Sequence, residues 1–286
     1  MNSSTNRFLL FTLMLIGLFY VQTAYSQEKN ELRYEMMLNQ NMLTDSMKNI
    51  QFGYHIDVSP HQFITLAGDN KMFLLGWGGI VQLGKDTEIP VNSFAYTSDG
   101  LLMAIIENQL CYMDSTGIFS TIAQLPTSDM GLAAGKNVMY LFDHFRADSL
   151  YRLYALAKGG KYKQLLITPK PVTAVAEMGD SIYFALGSAV FSFTPENINP
   201  NLVVGLQKDN PIVSIAADTV RNILYLSTAD AIYAKQGNSL VYVTGDFGGG
   251  IVKYFGNGLI LFNPETHTII RIVNIDKSIH FVSTIR

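Results

Sequence analysis

The chain has 286 residues, 48% of them hydrophobic and 15% charged, with a formal charge of −3 at pH 7. That apolar fraction supplies a packed core and excludes a disordered chain. The faint acidic balance, without a clustered Lys/Arg face, excludes the electrostatic footprint of a nucleic-acid binder.

Residues 1–26 read as a signal peptide. A single Arg7 precedes an apolar run from Phe8 to Val21, and Ala24-Tyr25-Ser26 places small residues ahead of a cut after Ser26. The run is short of the roughly 20 residues of a membrane span, so export is expected and a retained anchor is the alternative. No cysteine lies near the cut, which speaks against a lipoprotein. Cleavage removes Arg7 and no acid, leaving 19 basic against 23 acidic residues, a charge of −4. A mature protein in the periplasm or outside the cell, with no membrane span, is the expectation.

Residues 27–50 form a polar, Met-rich lead-in. Leu32, Met36 and Leu43 can share a helical face, so a short surface helix and a flexible segment are both open. From residue 51 to 286 the character changes: Gly, Asp and Asn punctuate strand-length runs of Val, Ile, Leu, Phe and Tyr. Within them Cys111, the single cysteine, rules out an intramolecular disulfide and a thiolate zinc site, and reads as a small buried hydrophobe.

A turn followed by an apolar strand recurs six times, at Leu66–Leu75, Tyr96–Ile106, Ala133–Phe142, Glu177–Leu186, Ala216–Ser227 and Phe255–Phe262. Pro60, Pro90, Pro126, Pro171 and Pro211 precede most copies, with Gly248-Gly249-Gly250 in the equivalent place of the last. Proline cannot donate to a ladder and so marks strand starts. Units of roughly 40 residues holding about four strands each predict a β-propeller, because such a unit buries both sheet faces only between neighbours. Six blades are expected, with seven blades or an open solenoid as alternatives. Blade one has little room for an outer strand between Leu83 and Pro90. Blade six is expected to use Ser278–Ile285 as its outer strand, and Phe52–Val58 to latch an end blade.

This grammar resembles the six-bladed propellers of the NHL-repeat, YWTD and gluconolactonase-like group, with Ile223-Leu224-Tyr225-Leu226-Ser227 and Ala231-Ile232-Tyr233 as a local echo. The resemblance runs from Pro60 to the C-terminus and implies a fold, not an activity. Tryptophan is missing from all but the first unit, and the group's metal-binding acids find no matching positions here.

The loops from second to third strand are expected to share one face with the loops that enter each blade. They carry Trp77 within Gly76-Trp77-Gly78-Gly79, Glu107-Asn108, Asp143-His144-Phe145-Arg146, Asp230 and Glu265. Trp77 and Arg146 offer contact area and directional groups to a polar ligand or a protein loop. Asp143 and His144 are adjacent, but neighbouring side chains diverge in a strand-derived loop, which argues against acid–base work there. Glu107, Asn108, Asp143, Asp230 and Glu265 form an oxygen set for Ca²⁺ if they converge; otherwise no cofactor is expected. His55, His61, His267 and His280 show no ligand spacing, and no nucleophile-elbow or phosphate-loop pattern is present. The expectation is a non-catalytic envelope scaffold that binds an envelope protein or a small polar ligand. The alternatives are a metal-dependent lactonase- or lyase-like enzyme and a carbohydrate-binding propeller.

Overall fold

The computed structural model describes residues 31–279 except 44, 46, 49, 77–78, 145–147, 158 and 208. Residues 1–26, read above as a signal peptide, Trp77, Arg146 and residues 280–286 therefore lie outside the described residues. The fold is an all-β propeller of six four-stranded antiparallel blades.

Blade 1 holds β2 (Phe52–Val58), β3 (Ile64–Gly68), β4 (Lys71–Gly76) and β5 (Gly79–Leu83). Blade 2 holds β6 (Val91–Tyr96), β7 (Leu102–Ile106), β8 (Gln109–Met113) and β9 (Phe119–Gln124), and blade 3 holds β10 (Met130–Ala134), β11 (Met139–Asp143), β12 (Tyr151–Leu156) and β13 (Tyr162–Thr168). Blade 4 runs through β14 (Val172–Met178), β15 (Ser181–Leu186), β16 (Ala189–Thr194) and β17 (Asn197–Gly205), and blade 5 through β18 (Ser214–Asp218), β19 (Ile223–Ser227), β20 (Ile232–Gln236) and β21 (Ser239–Thr244). Blade 6 contains β22 (Ile251–Phe255), β23 (Gly258–Asn263) and β24 (Thr268–Val273), and its outer strand is β1 (Arg33–Leu38), brought from the opposite end of the chain. The first strand of each blade is innermost, and successive inner strands start 37–42 residues apart.

Burial follows from this stacking. Second strands such as β11 and β19 are buried at every position, because a neighbouring blade covers each sheet face. Outer strands such as β9 have no buried position. The core is thus six hydrophobic clusters, one per blade interface; that between blades 6 and 1 gathers Leu38, Phe52, Phe73 and Phe262. Cys111 is a buried thiol on β8.

Inner strands leave one edge without a ladder partner, and side chains of the preceding blade occupy it. Asp57 Oδ2 accepts from Tyr96 N at 2.7 Å, and Ser93 Oγ accepts from Leu132 N at 3.0 Å. Thr173 Oγ1 donates to the Ile212 carbonyl at 2.7 Å. Ser214 Oγ donates to the Val252 carbonyl and accepts from its N–H, at 3.2 and 3.1 Å. Each contact spans 38 or 39 residues, one blade.

Three details correct the sequence reading. Phe52–Val58 is not a latch but the inner strand of blade 1, so that blade is complete and Pro60 falls in its first hairpin. The turn in Leu66–Leu75 consequently joins second to third strand, and the β4–β5 hairpin joins third to fourth. Ring closure comes from β1, inside the expected lead-in; a register shift between Met36 and Leu38 breaks the alternation that would have revealed a strand. Ile275–Ser278 is one helical turn, not the start of an outer strand.

Candidate functional site

The inner strands converge on an axial cavity of about 450 Å³. It opens on the upper face, where the chain enters each inner strand and where second-to-third-strand loops also emerge. Its wall is mostly apolar: Ile56, Phe94, Leu132 and Val175 stand beside Gly131, Ala133, Ala174 and Gly249, which contribute only backbone and single methyl groups. Three cationic or titratable nitrogen groups stand out against that wall, His55 on β2, His144 just beyond β11, and Lys253 on β22.

Lys253 Nζ lies 2.9 Å from Asp57 Oδ1, while the other carboxylate oxygen holds Tyr96 N, so one carboxylate ties blades 6, 1 and 2 together. Burial lowers the pKa of His55 to about 4, and the neighbouring charges of His144 and Lys253 push the same way. His144 is also lowered by burial, but Asp129 and a hydrogen bond with the Val172 backbone oppose the shift. Both imidazoles are therefore neutral at pH 7, each able to offer one donor and one acceptor.

His144 is held on three sides. Its backbone N–H donates to the Asp129 carbonyl at 3.0 Å. Its ring meets Phe142 edge-on, 5.2 Å between centroids at 81°. The third contact is the Val172 backbone of blade 4.

Of the candidates from the sequence, His144 and Glu265 line the cavity. Glu265 is exposed at the rim, its N–H donating to Asn263 Oδ1 at 3.0 Å. Asp230 follows the lining residue Ala229 but is exposed, its N–H directed to Thr228 Oγ1. Asp143 is fully buried inside blade 3, where Oδ2 accepts from Arg152 N at 3.1 Å. Glu107 and Asn108 form the β7–β8 hairpin turn, Glu107 with φ of 52°, and neither lines the cavity. Gly76 ends β4 and Gly79 begins β5, the third and fourth strands of blade 1, and Trp77 between them lies outside the described residues.

The five oxygen-bearing candidates do not gather into one site. Among the described residues, no group of three or more His, Cys, Asp and Glu is arranged to hold a metal ion. Two imidazoles and an ammonium group beside one rim carboxylate do not fit a hard cation such as Ca²⁺. Sequence reasoning passed over His55 and Lys253. The available signal was a basic side chain in each of two largely apolar inner strands, Phe52–Val58 and Ile251–Phe255.

No family model matches the chain, and no curated sequence is similar to it. Solved structures are. A gluconolactonase from Xanthomonas campestris superposes with a TM-score of 0.67 at 10% identity, over 85% of this chain and 89% of that one. A second structure, provisionally described as a gluconolactonase, gives 0.66 at 9% identity, over 85% and 92%. The extracellular domain of a protein provisionally assigned as a one-component system, from B. thetaiotaomicron, gives 0.57 at 15% identity; 80% of this chain matches 34% of that longer one. The non-catalytic scaffold expected from the sequence is overturned by this comparison, in which two propellers matched over 89% and 92% of their length are described as gluconolactonases, one of them provisionally. At these identities the likeness establishes the fold alone, a six-bladed propeller.

Proposed function

We propose that the protein is an exported enzyme that hydrolyses a lactone or a related ester in the axial cavity, with His144 as the proton acceptor. The observation that carries this reading is the pair of neutral imidazoles beside Lys253 in an enclosure whose other lining residues are mostly apolar. The similar gluconolactonase propellers and the extracellular setting of another neighbour support it further.

The two histidines divide by basicity. His55, lowered to about 4, is too weak a base for neutral pH and serves as a hydrogen-bonding wall. His144 keeps more basicity through Asp129 and Val172. It takes a proton from water as the water oxygen attacks the ester carbonyl carbon. The tetrahedral oxyanion that forms is stabilised by the Lys253 ammonium group. Collapse breaks the bond from carbonyl carbon to ring oxygen, and the proton on His144 passes to the departing alkoxide, giving a hydroxy acid.

The test is pH-stat hydrolysis of glucono-1,5-lactone and a panel of lactones and aryl esters, corrected for spontaneous reaction. Acceleration that survives chelator treatment is expected. No acceleration of any panel member, with or without added divalent ions, would overturn the reading.

A further inference from the structure

His144 reaches the cavity because of what is missing across the hairpin. Gly131 and Phe142 are directly opposite one another in the β10–β11 ladder. A Cβ on Gly131 would run into the far end of the Phe142 ring and stand 2.9 Å from His144 Nε2. Residues 142 and 144 alternate onto the same side of the strand. The bare Cα of Gly131 thus accepts the phenyl ring, and the phenyl edge in turn fixes the imidazole. The backbone of Gly131 does not require glycine, since its φ lies outside the left-handed region. The requirement is one of space.

We propose that Gly131 is the positioning residue of the axial site: the room it leaves sets the Phe142 ring, and through it the orientation of His144 toward the cavity. The inference rests on His144 as the working base, but it makes a claim about the ring that is measurable without any substrate. The atoms that a methyl group would strike are ring ends, so Gly131→Ala should displace Phe142 and His144 and leave the blade folded.

The experiment is NMR titration of the His144 ring in the wild-type chain, in Gly131→Ala, and in Gly131→Ala with Phe142→Leu, each also assayed for lactone hydrolysis. The groups facing the ring are Asp129, His55 and the Val172 backbone, all unchanged in these variants. In Gly131→Ala the His144 titration should move up toward the ordinary histidine value as the ring meets water. The same variant should lose at least tenfold in kcat with KM within about twofold. Phe142→Leu in the same chain removes the phenyl edge that fixes the imidazole, so the titration should stay displaced, and a return to the wild-type value would overturn the relay through Phe142. An unchanged His144 titration in Gly131→Ala, with only a lower melting temperature, would overturn the proposal and leave Gly131 a packing residue. A moved titration in a protein that hydrolyses nothing would support the positioning role and overturn the hydrolase reading.

Discussion

At the scale of single residues, the cavity couples chemistry to stability through His55. Its pKa is about 4 in the folded protein against 6.5 for a free histidine, so the unfolded chain binds the proton first as pH falls. Stability therefore drops between pH 6.5 and 4, by at most about 3 kcal/mol, and nothing is lost above that window. His55→Gln should flatten this part of the melting temperature against pH curve; an unaltered slope would show that His55 is not held neutral. Asp57 contributes through its ion pair. Asp57→Asn leaves Lys253 without its anion, and because the lysine is 27% exposed the expected cost is about 2 kcal/mol rather than the full penalty of a buried broken pair. Urea denaturation measures it, and a cost below a few tenths of a kcal/mol would mean the pair is slack.

At the scale of elements, ring closure depends on six residues from near the start of the chain. The Tyr34 hydroxyl hydrogen-bonds Thr244 Oγ1 at 2.8 Å and Asp246 Oδ2 at 2.9 Å, and its ring packs edge-on against Phe247. Leu38, 1% exposed, fills the interface between blades 6 and 1. Leu38→Ala should cost about 2–5 kcal/mol and Tyr34→Phe about 1 kcal/mol, read from denaturation midpoints. Equal effects of the two would show that packing does not dominate the closure. The sequence made five of the six inner-to-second hairpins visible, because Gly, Asp or Asn marks those turns. It hid the first, where Ser59-Pro60-His61-Gln62 makes the turn, and proline drew the register one strand late. It hid β1 as well, since the irregular pairing at Met37 and a mixed polar run conceal a period of two.

At the scale of the whole molecule, six near-equivalent blades present one face, and the site is the product of the ring rather than of any blade. His55, His144 and Lys253 come from blades 1, 3 and 6, some 89 and 109 residues apart in order along the chain. No local motif could announce them. His144 was legible because it falls in a second-to-third-strand loop on the upper face. Asp143 was legible for the same reason, yet its side chain turns into blade 3, as alternation along a strand requires. Of the acids that sequence placed on one face, Glu265 reaches the cavity rim, whereas Glu107 sits in a hairpin turn away from it and Asp143 turns into its own blade.

The most direct test of a catalytic axial cavity is the pH dependence of kcat/KM for lactone hydrolysis, in wild type and His144→Ala. In the wild type kcat/KM should rise through a pKa below 6.5 and level off near neutrality, because the base works only when unprotonated. In His144→Ala the rise should vanish and the plateau fall by about 10²-fold or more. A variant that kept the wild-type profile and rate would contradict the assignment of the chemistry to this cavity.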